Sequence, residues 1–249
     1  MTRFLLVLGL VAAVVVVVAP LLAQDEGEEG QQGPQRQSWL SLIFQGSKFM
    51  GIGFIIMGLS VVSIALIVEH FMTVKRDVLV PPELVAHLEQ LLEEGDFENA
   101  KTMCESQPNF LTNVILAGLV KLEQERPFEE VEAAMQEAGD QEAVKLHQKI
   151  SYLSLLGQVA PMLGLFGTVA GMIAAFAEIA RSTTSPEPRK LAYGIMTALV
   201  TTFLGLFVAI PSITAFFFFR NRVIRIIMEV GTIAEELMDR FRPQEETTI

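Results

Sequence analysis

Residues 150–177 run for 28 positions without a charge, and the first charged side chain after them is Glu178. At 1.5 Å per residue this is roughly 42 Å of helix, longer than the ~30 Å hydrocarbon core of a bilayer. Two more runs of the same kind are residues 49–68, 20 positions long, and residues 191–219, 29 positions long. In hydrocarbon each backbone N–H and C=O must find its partner inside the segment, so three such runs predict three spanning helices. Hydrophobic residues make up 51% of the chain, as a membrane protein requires. The net charge of −11 argues against a nucleic-acid partner. One cysteine, Cys104, excludes an internal disulfide, and His70, His87 and His147 show no metal-ligand spacing. No metal and no cofactor are expected.

The runs divide the chain. Residues 1–23 carry one cation, Arg3, then an apolar stretch ending in a small residue, Ala23. This is a signal peptide or, given the length of the stretch, an uncleaved signal anchor. Residues 24–48 are a polar linker outside the cytoplasm, ending in a short amphipathic stretch whose Trp39 suits the membrane interface. Residues 49–69 form the first span, and Lys75 and Arg76 just beyond it mark a cytoplasmic exit. Residues 70–149 read as a soluble helical domain; from His70 to Lys149 there are 16 acids and 7 bases, a net of −9. The second span covers 150–180, a loop 181–190, the third span 191–219, and a cytoplasmic helix and tail 220–249. The fold class is therefore all-α, a polytopic membrane protein with three transmembrane helices extended into a helical cytoplasmic domain and preceded by a signal peptide or anchor.

Within the soluble stretch the helix signals are local. Pro81-Pro82 starts a helix with Leu84, Leu88, Leu91 and Leu92 on one face, and Gly95 stops it. Asp96 caps the next, with Phe97, Ala100 and Cys104 turned inward; Pro108 ends it. A third amphipathic helix follows from Phe110. After Pro127 a fourth carries Val131, Met135, Ala138, Leu146 and Ile150 and runs into the second span unbroken. Beyond the third span Val223, Ile227, Val230, Ala234, Leu237 and Phe241 recur at spacings of 4 and 3, an apolar seam for a neighbour.

Two stripes of small residues stand out. Gly157, Pro161, Gly164, Thr168, Gly171, Ala175 and Glu178 alternate at spacings of 4 and 3 on the second span. Ala198, Thr202, Gly205, Ala209 and Ser212 do the same on the third, with Thr201 beside them. Small residues let helices approach closely or leave room for a polar path, and spacing alone favours packing. Residues 49–68, 150–177 and 191–219 contain no Asp, Glu, Lys, Arg or His. A charge at mid-membrane costs several kcal/mol and is kept for a purpose, so this chain has no titrating relay of its own. Glu178, at the outer end of its stripe, is a candidate pore mouth or else an interfacial acid turned to water. No GxSxG, P-loop or dinucleotide fingerprint occurs, so no enzyme is expected.

The segments APMLGLFGTVAGMIAAF (160–176) and ALVTTFLGLFVAIPSITAFFF (198–218) resemble the two signature spans of the MotA/TolQ/ExbB proton-channel family, nearest its ExbB-like members. LEEGDFENAKTMC (92–104) is similar to that family's cytoplasmic domain. The likeness covers residues 49–242. It implies a homopentamer in the bacterial inner membrane whose second and third spans enclose an ExbD- or TolR-like single-span partner. The partner's intramembrane Asp carries the proton, and a TonB- or TolA-like protein transmits the resulting motion. It also implies that Thr168 and Thr202 are the pore threonines, with Gly164, Gly171, Ala175, Ala198, Thr201, Gly205 and Ala209 lining the pore or facing the partner. Thr197 stands where an acid is common in ExbB-like proteins. The competing reading is a structural membrane scaffold that holds a partner helix without ion flux.

Overall fold

The computed structural model describes residues 52–181 and 188–242. The expected leader, the linker with Trp39, the first residues of the first span, the middle of the 181–190 loop and the tail beyond 242 lie outside the described residues. The described chain is helical throughout, with no strand. Its elements are α1 (Ile52–Thr73), α2 (Arg76–Leu79), α3 (Pro82–Glu93), α4 (Phe97–Ser106), α5 (Phe110–Glu123), α6 (Phe128–Arg181) and α7 (Pro188–Asp239). Three of them, α1, α6 and α7, are long and apolar enough to cross a membrane. α6 runs 54 residues through Pro161, and α7 runs 52 through Pro211. Neither proline ends its helix, as apolar surroundings permit when neighbouring groups take up the freed carbonyl.

The chain forms two compact units. One comprises residues 68–152 and 214–242 of the described chain. Its helices obey the local signals. Pro82 occupies the first turn of α3, and Leu84, Leu88 and Leu92 are buried. Gly95 then adopts φ +73°, a left-handed conformation open to glycine at little cost. Asp96 caps α4, accepting from the Asn99 amide at 3.2 Å. Ala100 and Cys104 are buried as expected, but Phe97 is not: it is 40% exposed and its ring meets Phe241 edge-on at 5.2 Å. The first turn of a capped helix leaves one flank open, and an aromatic ring there is covered by whatever chain passes. α5 opens with a capping box, Asn109 accepting from the Thr112 amide and Thr112 accepting from the Asn109 amide. On α7 Val223, Val230, Ala234 and Leu237 are buried, with Ile226 rather than Ile227 completing the seam. Arg240, just past the end of α7, ties that end to α3 through Glu89 at 2.9 Å and Glu93 at 2.6 Å. His70 is buried, its Nε2 3.0 Å from the Lys149 carbonyl oxygen and its ring 5.6 Å from that of Phe219.

The other unit comprises residues 52–67, 153–181 and 188–213 of the described chain. Ile52 and Ile56 of α1 pack with Ala160 of α6 and Val208 and Ala209 of α7, flanked by Leu163 and Leu204. Ser63 and Ser212, both buried, join α1 to α7 through hydroxyls 2.7 Å apart.

Candidate functional site: the seam between α6 and α7

The two small-residue stripes face each other. α6 and α7 approach so closely that added side-chain carbons would collide with backbone. A Cβ at Gly205 would lie 2.5 Å from the Ala160 carbonyl oxygen, and one at Gly164 would lie 2.9 Å from the Thr201 carbonyl oxygen and the Thr202 Cα. Farther along, a Cβ at Gly171 would stand 2.8 Å from the Ala198 methyl, and one at Gly194 would stand 2.9 Å from the Ala175 methyl. Real Cβ atoms do not come that near, so glycine is what permits the contact. Gly157 continues the line against Ile213.

Where the seam is tightest, hydroxyls converge. The Thr168 and Thr202 hydroxyls touch each other in a short hydrogen bond across the two helices. Thr168 also donates to the Gly164 carbonyl at 3.1 Å and reaches that of Ala198 at 3.4 Å. Thr201 lies 2.7 Å from the Ala198 carbonyl and 3.2 Å from that of Gly164, and Thr202 lies 3.0 Å from the latter. Three hydroxyls thus share two backbone carbonyls inside a stretch that has no charge. Thr168 is buried; Thr201 and Thr202 are half-buried. Alcohols do not titrate near neutral pH, so the cluster cannot hold a proton; it can accept from, or donate to, a group that does.

The structure therefore brings Gly164, Thr168, Ala198, Thr201 and Thr202 into one cluster, with Gly171, Ala175 and Gly205 along the same seam. Ala209 belongs instead to the apolar contact with α1. Glu178 is exposed, one turn from the end of α6 at Arg181. Three participants are not among the stripe residues named from the sequence. Gly167 lies off the line, yet a Cβ there would be 2.5 Å from the Thr201 hydroxyl. Gly194 lies one step before Ala198 on the same stripe, so extending the spacing by four finds it. Ser63, a single hydroxyl in the first span, carries no pattern at all. Outside the seam both helices are apolar and exposed: Phe166, Ile173 and Phe176 on α6, and Leu199, Phe203 and Ile210 on α7. Such rows are faces for lipid or for other chains.

Comparison with known proteins gives the family. The profile of the MotA/TolQ/ExbB proton channel family matches residues 106–232, just over half of the chain and inclusive of the whole seam. The biopolymer transport protein ExbB of Xanthomonas campestris pv. campestris strain B100 is 37% identical over 111 residues. The protein of the same name from strain ATCC 33913 matches equally. In both cases the alignment covers 45% of this chain and 44% of the relative's own length. With three helices long and apolar enough to cross a membrane and a matching profile over the seam, this membrane protein belongs to the MotA/TolQ/ExbB proton channel family.

Proposed function

We propose that the chain is one subunit of a proton-channel motor in the bacterial inner membrane. It works as a homopentamer with an ExbD- or TolR-like single-span protein whose intramembrane Asp carries the proton. The motion so produced energises TonB- or TolA-type work at the outer membrane. The observation that carries this reading is the Thr168–Thr201–Thr202 cluster in runs, 150–177 and 191–219, that hold no Asp, Glu, Lys, Arg or His. A neutral hydroxyl array can hydrogen-bond an acid in either protonation state, and the acid has to come from another chain. Moving one charge through 100 mV is worth about 2.3 kcal/mol, which biases a two-state movement by tens of fold. In this reading the domain of residues 68–152 and 214–242 lies in the cytoplasm, and Glu178 stands at the periplasmic mouth. The second reading, a scaffold without ion flux, is favoured by one fact: the small stripes already fill each other within the chain. Co-expression with the single-span partner separates the two. Thr168→Val and Thr202→Val keep the shape and remove the hydroxyls; each is expected to cut proton-driven work and conductance by tenfold or more. If both variants conduct and work normally, the pore assignment is wrong; the scaffold stands only if the unaltered chain with its partner carries no ion flux.

A further inference from the structure

Glycine weakens a helix interior relative to alanine and is kept where something needs the space. For most helical glycines of this protein that something is inside the chain. Gly118, for example, is overlain by Met135 and Met238, whose Sδ and Cε would stand 2.8 and 3.2 Å from a Cβ. Gly58 on α1 is open as well, but within the helical domain it is Gly139 on α6 and Gly231 on α7 that are different. Nothing lies within 4 Å of a Cβ at 231, and only a Val114 methyl, at 3.8 Å, near one at 139. Neither has positive φ. Both line one groove of about 850 Å³ between α6 and α7 in the helical domain, floored by Met135, Val230 and Met238. Its rim is acidic: Asp140, Glu235 and Glu236 line it and form no salt bridge among the described residues, while Glu132 and Asp239 at one end share Arg242. α7 borders the groove from Ile227 to its end at Asp239, roughly 18 Å at 1.5 Å per residue, and Arg242 lies just beyond.

We propose that this groove docks a cationic amphipathic helix of about four turns from another protein. The two bare glycines give its backbone room to settle, the methionine-rich floor adapts to its apolar face, and the rim pairs with its basic flank. Charge decides against the alternatives within this chain. Residues 243–249, PQEETTI, carry two acids and no cation, and a second copy would bring a domain of the same net negative sign.

The test uses the full chain in phosphatidylcholine nanodiscs and a labelled 14-residue leucine–lysine helix, with empty nanodiscs as baseline, read by fluorescence anisotropy. Gly231→Leu is expected to weaken binding at least tenfold. Asp140→Asn with Glu236→Gln is expected to do the same and to flatten the salt dependence. Gly231→Ala guards against misfolding: it should keep or raise the melting temperature while weakening binding several-fold. Equal binding by Gly231→Leu, or by a scrambled peptide of the same composition, would mean generic charge attraction and overturn the proposal. Tighter binding after deletion of 243–249 would assign the groove to the chain's own tail. Loss of self-assembly in Gly231→Leu would assign it to a second copy. Either result overturns the cationic partner.

Discussion

The Ser63 hydroxyl on α1 lies 2.7 Å from that of Ser212 on α7, and Ser212 in turn donates to the Val208 carbonyl at 2.6 Å. A hydroxyl has one proton to give, so Ser63 is the donor between the two serines. The pair is therefore asymmetric. Ser212→Ala strands a buried donor on α1, whereas Ser63→Ala leaves Ser212 bonded to its own helix. Ser212→Ala should cost about 1–2 kcal/mol of stability in detergent and Ser63→Ala about half that. Thermal unfolding of both single variants and the double variant checks the order; a costlier Ser63→Ala would reverse the assignment of the donor.

Gly205 and Gly164 face backbone atoms, which cannot swing aside as a side-chain tip can. Gly205→Ala and Gly164→Ala should each destabilise the protein by about 1–3 kcal/mol, with the α6–α7 contact loosened. Gly58→Ala, at a position on α1 with nothing within 4 Å, should leave the isolated subunit as stable as before or more so. Unfolding midpoints of the three variants in the same detergent decide the matter.

Gly95 has open space around it but φ +73°, so any penalty there is conformational, not steric. Gly95→Ala should cost about 1–2 kcal/mol and Gly95→Asn distinctly less, because asparagine tolerates the left-handed region. Equal losses for the two would point to a steric cause.

Burial pushes the Cys104 thiol up to about 11, with Glu105 adding to the shift. The thiol is then protonated and inert at pH 8 in the folded protein, and maleimide labelling should be slow until the domain is unfolded. The thiol's native pKa lies above the unfolded value near 9, so its contribution to stability is whole below pH 9 and fades as pH rises toward 11. Cys104→Ala should remove that part of the alkaline decline, as chemical denaturation at pH 8 and pH 10.5 would reveal.

The local punctuation of the helical domain was legible because its causes are local. Pro82, Gly95 and Asp96 act on the residues beside them, and the structure has each in its expected role. Burial is a different matter. Phe97 and Ile227 both fit an inward spacing, yet Phe97 leans on Phe241 and Ile226 takes the seam. A period near 3.6 admits spacings of 3 and 4 alike, and only the neighbouring helix chooses between them. The α6 and α7 stripes were equally plain in the residues. What they could not disclose is that each stripe is the other's surroundings, since periodicity says which side chains share a face and nothing about what that face meets.

The carbonyl of Gly164 sits within reach of three hydroxyls, and that of Ala198 within reach of two. Three protons thus have more acceptors than they can use at once, and each can turn to another acceptor without any heavy atom moving. The cluster's hydrogens have several arrangements open to them, a proton disorder of the kind found in ice. Replacing one threonine by valine takes away more than one bond. It also cuts the number of arrangements open to the two that remain.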